Sequence, residues 1–319
     1  MFCRPPGSAC PWLFTAFRYN PAQMAQAEEG IVVAVRIVTD STSYLPAADR
    51  ERYGITVVTL SVNFGSESYP EEGLDSGWFY KRMAAEAEVP TSSQPSVADL
   101  AGAFEAAVAA DDEVCGVFIS SEMSGTYSTA ELARNLVLET YPHAQIELVD
   151  SRSNCMQLGF AVLEAARAAE RGVPIEAVAA AARATTHRTR FLFVPHTLDY
   201  LRRGGRIGGA SALLGSLLQI RPILTVRDGK TDVFGKVRTK KRALVEMTKA
   251  VVEDGERAGG LTEVIVHHID DEAEGRELVD LLVEATGLEI PLHPIGAVVG
   301  LHVGPGTVGV VYRVNGELT

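Results

Sequence analysis

The sequence predicts a soluble α/β protein of two domains, an N-terminal Rossmann-like parallel sheet and a C-terminal mixed-sheet α/β domain, with a ligand held between them. Three observations lead there. At 319 residues the chain is longer than one hydrophobic core usually supports, and 46% apolar content is ample for burial. Short β-branched runs alternate with helical stretches, which is the pattern of a parallel sheet. Three early runs finish in small hydroxyl or acidic residues, and ligands of such sheets bind beyond the carboxyl ends of the strands.

Residues 1–34 read as an unstructured extension. Pro5, Pro6, Pro11 and Pro21 break every periodicity, and the apolar stretch at 12–17 has only Arg4 before it, a poor signal peptide. Gly7-Ser8-Ala9-Cys10 resembles a lipoprotein box but lacks the apolar segment that should precede its cysteine. Val33 to Asp40 reads as a domain opening, so translation is expected to start near Val33.

The first domain, 35–186, opens with a strand at 36–39 ending in Asp40-Ser41-Thr42, then a helix entered after Leu45-Pro46 and running to Tyr53. Residues 53–64 read as a second strand and 78–87 as a helix. Residues 89–96, punctuated by Pro90 and Pro95, read as a polar turn before a helix from Val97. A strand at 114–119 ends in Ser120-Ser121, with Ser124-Gly125-Thr126 opening a helix, and a strand at 146–149 ends in Asp150-Ser151. The alanine-rich stretch 161–184 is helical, broken at Gly172, with Pro174 placed to start the next helix. The three polar strand ends are expected to cluster.

The second domain, 187–319, begins with a strand at 191–194, a helix from Leu198 and a glycine-rich bend at 204–209. Strands at 223–227 and 232–237, a helix through Val251, a strand at 263–268 and a helix at 272–286 follow. A β pair at 297–314 closes the chain.

A net charge of -12 argues against nucleic acid or an anionic membrane as partner, because polyanions are held by clustered Lys and Arg. No run of about 18 apolar residues occurs, so no membrane-spanning helix is expected. Cys3, Cys10, Cys115 and Cys155 are sparse and lack metal-ligand spacing, which fits reduced thiols in the cytoplasm. His267 and His268 sit near Asp270 and Asp271, but neighbouring strand residues face opposite ways, so no metal site is expected.

Four segments carry candidate chemistry. Ser124-Gly125-Thr126-Tyr127, where a strand becomes a helix, suits an anion or serves as a plain N-cap. Thr91-Ser92-Ser93-Gln94-Pro95-Ser96 offers hydroxyls and an amide, or a cap for the helix at Val97. Arg202-Arg203-Gly204-Gly205-Arg206 places guanidinium groups around a backbone that allows close approach, or is a helix end with exposed arginines. His302-Val303-Gly304-Pro305-Gly306 sets a histidine before a tight bend between two expected strands, as a ligand contact or a core residue. Gly304 to Gly309 also matches G-x-G-x-x-G, but no helix and no acid about 20 residues later follow, so it is not a dinucleotide fingerprint. A serine hydrolase using Ser124 and His302, oriented by Asp40 or Asp150, is the rival class, although no G-x-S-x-G elbow occurs.

Taken together with Ile37-Val38-Thr39-Asp40-Ser41, Asp150-Ser151, Leu198-Asp199-Tyr200-Leu201 and Arg221-Pro222-Ile223-Leu224, these segments resemble the DegV family, from about Arg36 to the C-terminus. That family's members are fatty-acid-binding proteins serving a bacterial fatty acid kinase. The resemblance implies a non-catalytic protein that encloses one long-chain fatty acid between its domains and presents the carboxyl to a separate kinase, with no cofactor. It implies that Ser92, Ser93, Ser124, Gly125 and His302 meet the carboxyl, while Arg206, and with it Arg202, lies at the rim or contacts the partner. Ser92 stands where the family usually has Thr, Val303 where a Thr follows the histidine, and Cys155 and Gln157 where Ser and Gly are common. The last two substitutions are expected to narrow or redirect the tunnel.

Overall fold

A computed structural model describes residues 33–86, 88–214 and 220–318. The expected extension, its start site and Cys3 and Cys10 lie outside the described residues, except for Val33 and Ala34.

The parallel sheet forms as the alternation requires. β1 (Val35–Asp40) is flanked by β2 (Thr56–Val58) and β6 (Glu113–Phe118), with β7 (Ile146–Asp150) beyond β6, giving the order β2-β1-β6-β7 with every pair parallel. Helices α1 (Ala47–Tyr53), α2 (Ser76–Ala85), α3 (Val97–Val108) and α4 (Thr126–Thr140) connect these strands. Ser96 and Asp99 form a reciprocal capping box that starts α3. Helix α5 (Cys155–Glu170) and helix α6 (Ile175–Thr185), separated at Gly172 and Pro174, lead to the second half, and Thr186 stands between α6 and the next strand.

The second sheet is mixed. β8 (Thr189–Val194), β9 (Arg221–Arg227), β10 (Lys230–Val237), β11 (Leu261–Ile269), β12 (Leu292–Pro294) and β13 (Thr307–Val314) order as β10-β9-β8-β13-β11-β12. All neighbours are antiparallel except β11 and β12. Helices α8 (Lys240–Arg257) and α9 (Glu272–Thr286) pack on this sheet, and the short α7 (Asp199–Arg203) leads into the glycine-rich bend.

Three expectations are corrected. The stretch 53–64 is not one strand: Tyr53 ends α1, β2 joins the parallel sheet, and β3 (Ser61–Phe64) turns into a separate antiparallel sheet, β4-β3-β5. The break falls at Leu60, whose N–H donates to Ser41 Oγ (3.1 Å), and no glycine or proline marks it. The stretch 89–96 is not a simple turn, because Thr91–Ser93 forms β5, paired with β3, while Glu67–Pro70 forms β4. The closing β pair is a helix, α10 (Ala297–Val303), followed by β13. Six of the seven residues of α10 are buried, so it has no polar face from which a helical period could be read.

Strand alternation sorts the core. On β6, Cys115 and Val117 face a central cluster while Val114 and Phe118 face the α3 and α4 side. On β8, Phe191 and Phe193 face the same central cluster while Leu192 and Val194 face α8 and α9. The inner faces of both sheets therefore share one core, and residues from Ala34 onward form one compact unit. In the outer core the buried Asp254 accepts hydrogen bonds from Tyr312 Oη (2.5 Å), Arg190 and Arg257. Asp254→Ala leaves the half-buried Arg190 charge unpaired and is expected to lower the unfolding free energy by about 3 kcal/mol, read by urea denaturation.

Candidate functional site

The polar strand ends of the parallel sheet do come together, and their carboxylates spend themselves on the backbone. Asp40 accepts from the N–H (3.0 Å) and hydroxyl (2.5 Å) of Thr42 and from the Ile119 N–H (2.7 Å), joining the ends of β1 and β6. Asp150 accepts from Ser121 Oγ (2.6 Å) and the Arg152 N–H (2.9 Å), and the Ser120 N–H donates to Ser153 O (2.8 Å).

Above these ends, between the two sheets, lies a cavity. Leu60, Ile119, Phe191, Phe193, Val226, Ile269, Ile295, Val298, Val299 and Val303 make it predominantly apolar. Ser92, Gln94, Ser124, Gly125, Arg206 and His302 also line it. A chain of contacts puts these six side by side. Ser92 Oγ lies 2.8 Å from His302 Nε2. A Cβ on Gly204 would fall 2.3 Å from His302 Nδ1, so only glycine lets the bend approach the imidazole. The Arg206 side chain donates to Gly204 O (2.6 Å) and to Met123 O (3.0 Å), beside Ser124. A Cβ on Gly125 would meet Gln94 Oε1 at 2.4 Å. Ser124 Oγ sits 2.9 Å from Thr126 Oγ1 and accepts from the Thr126 N–H (3.3 Å) at the start of α4, the positive end of the helix.

Five of the seven candidate residues thus meet at one wall. Ser93 and Arg202 do not line the cavity. Successive residues of β5 point to opposite faces, so Ser93 turns away from the side taken by Ser92. Arg202 pairs with Asp199 (3.1 Å) on the exposed face of α7. Cys155 and Gln157 are buried but also off the cavity wall: Gln157 accepts from Ser153 Oγ (2.5 Å) and donates to Thr189 O (3.1 Å). Phe191 and Phe193 were legible only as strand residues; their i, i+2 spacing is the signal that puts both on one face.

Burial pushes the His302 imidazole down to about 4, with the Arg206 charge a smaller contribution, so the ring is neutral at neutral pH. Nδ1 is buried without a hydrogen-bond partner, packed on Gly204. A buried orphan acceptor costs less than a buried orphan N–H, which favours the tautomer with the proton on Nε2. In that form His302 donates to Ser92, and the Ser92 hydroxyl proton is free to point at a ligand. The histidine engages Ser92 rather than Ser124, and Asp40 and Asp150 are committed elsewhere, so the Ser124–His302–Asp arrangement of the rival hydrolase reading is not assembled. His267 is neutral for a similar reason: it is fully buried, pushed to about 4, with Nε2 accepting from the Met156 N–H (3.4 Å) and Nδ1 3.1 Å from His293 O. Among the described residues, no three His, Cys, Asp or Glu side chains group to hold a metal ion, and no helix is long and apolar enough to cross a membrane.

The sequence profile of the DegV family of uncharacterised proteins matches residues 34–315. The chain belongs to the DegV family. A DegV domain-containing protein of Clostridium acetobutylicum is 49% identical over 280 residues, which cover 88% of this chain and 98% of that one. Among solved structures, the DegV family protein of Thermus thermophilus, described as fatty-acid binding, is 34% identical with a TM-score of 0.79, covering 90% of this chain and all of its own. The DegV fatty acid binding protein of Bacillus subtilis is 31% identical with a TM-score of 0.78, covering 88% of this chain and 99% of its own. A stearic-acid-binding protein of Eubacterium ventriosum matches at 28% identity and a TM-score of 0.78, with 88% and 98% covered.

The two neutral histidines tie the stability of the fold to pH. Both have folded-state values near 4 against 6.5 when unfolded, so the unfolded chain binds more protons between those limits. Stability is therefore lost as pH falls from 6.5 towards 4. In His302→Gln, the loss measured by urea unfolding between about pH 7 and about pH 4.5 is expected to shrink by about 2 kcal/mol.

Proposed function

We propose that the chain binds a long-chain fatty acid in this cavity, with the carboxyl at the Ser92–His302–Ser124 wall, and presents that carboxyl to a separate kinase for acyl-phosphate formation. The observation that carries the reading is the cavity itself, a predominantly apolar enclosure in which Ser92, Gln94, Ser124, Arg206 and His302 stand side by side. Its relatives of known structure that bind fatty acids share the fold and nearly the full chain length. A tail of roughly 16 carbons gains on the order of 10 kcal/mol from burial before ordering costs, so the tail supplies affinity and the polar wall sets orientation. The carboxylate accepts hydrogen bonds from the hydroxyls of Ser92 and Ser124 and from the first turn of α4, whose positive end suits an anion.

Presentation has its own support. Ser92, Arg206 and His302 line a second, outer cleft together with Thr91, Arg203 and Leu301. One wall of side chains thus separates the lipid cavity from a cleft open to a partner, and a cytoplasmic kinase is the partner this arrangement fits. The 2.8 Å contact between Ser92 and His302 favours a second reading, ester hydrolysis by a Ser–His pair. Two features weigh against it: Nδ1 faces Gly204 instead of an orienting carboxylate, and a group near 4 is a weak base at neutral pH.

Organic extraction of the purified protein followed by mass spectrometry is expected to release about one fatty acid per chain, and protein that never carries lipid contradicts the reading. Ser92→Ala and His302→Ala are each expected to weaken fatty acid binding by about tenfold, the worth of one hydrogen bond to a charged group. Turnover of a p-nitrophenyl acyl ester that disappears in Ser92→Ala would instead establish the hydrolase.

A further inference from the structure

We propose that Glu71 and Tyr44 are positioning residues for His302, seating helix α10 from outside the cavity by supplying the caps that its own sequence lacks. The proposal rests on the carboxyl-site role of His302 given above. Helix α10 begins at Gly296, which provides no side-chain cap. Its first free N–H groups are met by side chains more than 200 positions earlier in the chain. The Val298 N–H donates to Glu71 Oε1 (2.9 Å), and the Val299 N–H donates to Tyr44 Oη (3.3 Å). The two caps are themselves joined, since Tyr44 Oη donates to Glu71 Oε1 (2.9 Å), and Ser41 Oγ donates to the other carboxylate oxygen (2.5 Å). Ser41 in turn accepts from the Leu60 N–H (3.1 Å), at the point where the chain leaves the parallel sheet for the small antiparallel one.

Three further observations show that the fit is specific. A Cβ on Gly296 would lie 2.5 Å from Glu71 Oε1 and 2.7 Å from Tyr44 Cε1, so the glycine makes room for borrowed caps. Tyr44 has a φ of 48°, a left-handed conformation uncommon for an aromatic residue and held here by the surrounding contacts. Glu71 is only 8% exposed, yet its carboxylate is matched by three donors, from Ser41, Tyr44 and Val298.

The consequence for the site follows from the length of the helix. Only two residues lie between Val299, at the capped end, and His302, in the last turn, and Val298, Val299 and Val303 all face the cavity. So short a helix moves as a rigid rod. The Ser92–His302 contact at 2.8 Å weakens beyond about 3.5 Å, so a displacement of less than about 1 Å at the capped end suffices to break it. Glu71 and Tyr44 do not themselves line the cavity; they act through the backbone of α10.

The test uses full-length, lipid-free protein with ¹⁵N-labelled histidine, the His302 resonances being assigned by their loss in His302→Gln. Glu71→Ala is expected to shift the His302 Nε2 resonance and to weaken binding of cis-parinaric acid by about tenfold, and Tyr44→Phe by about threefold. Glu71→Gln, which keeps an acceptor for the Val298 N–H and the Tyr44 hydroxyl, is expected to restore both readouts to within about twofold of wild type. Variants that melt earlier but keep the wild-type His302 resonance and affinity would overturn the proposal, leaving the caps with a structural role alone. If Glu71→Ala does not fold, Tyr44→Phe, which removes one oxygen, decides by the same readouts. Wild-type protein that fails to bind parinaric acid would count against the carboxyl site itself, while the His302 resonance in the lipid-free variants would still decide the positioning role.

Discussion

Both sheets are built against one helix. Twelve of the sixteen residues of α5 are buried, so it has no solvent stripe, and it packs on β1 and β6 on one side and β8 and β13 on the other. Polar pins fix its first turns in rotation: the Met156 N–H to His267, the Gln157 amide to the β8 backbone, and Gly159, where a Cβ would lie 2.9 Å from Ser43 O. Of the four positions read as departures from the family pattern, Cys155 and Gln157 sit in this joint and off the cavity lining, while Ser92 and Val303 lie on it. The joint meets the cavity at Asn154, the residue that precedes the helix.

The space between the sheets is lined mainly by apolar side chains and neutral dipoles, with the Arg206 guanidinium on its wall. The imidazole is uncharged, the nearest guanidinium is bonded to main-chain carbonyls, and the carboxylates at the strand ends are saturated by hydroxyl and N–H groups. In the proposed complex the guanidinium of Arg206, on the same wall, has its Nε and Nη1 already committed to main-chain carbonyls. An anion there depends on several donors converging at once, and the cost of losing any one of them is the cost of an unsatisfied buried charge. A site of this kind selects for geometry more than for charge.

The sequence made the parallel half legible because its physics is local. Each strand ends in a residue that caps a loop or helix, and Ser96, Pro174 and Thr126 announce helix starts in ways a single residue can carry. The failures occurred where the deciding contact is remote. Nothing near Leu60 shows that its N–H will find Ser41, so the run 53–64 looked continuous. Nothing near His302 shows that α10 will be enclosed on every side, so an apolar run with β-branched residues looked like a strand. Among the site residues, Ser92, Ser124, Gly125, Arg206 and His302 were picked out by motif and are brought together by the fold. Ser93 was separated from them by a pleat, which could be seen only once the segment was known to be a strand. Gln94, Phe191 and Phe193 carry no signature of their own beyond spacing.

Much of the site is shaped by side chains that are missing. Gly125, Gly204 and Gly304 each occupy a point where one added carbon would strike Gln94, His302 or the ring of Tyr200. They are the mould in which the polar wall is cast. An engineer who wished to refit this scaffold for a different hydrophobic cargo would therefore leave those three positions untouched and rewrite Phe191, Phe193 and Val226. These residues belong to the apolar part of the cavity lining, so in the proposed complex cargo shape and head-group chemistry become separately adjustable parts of the same molecule.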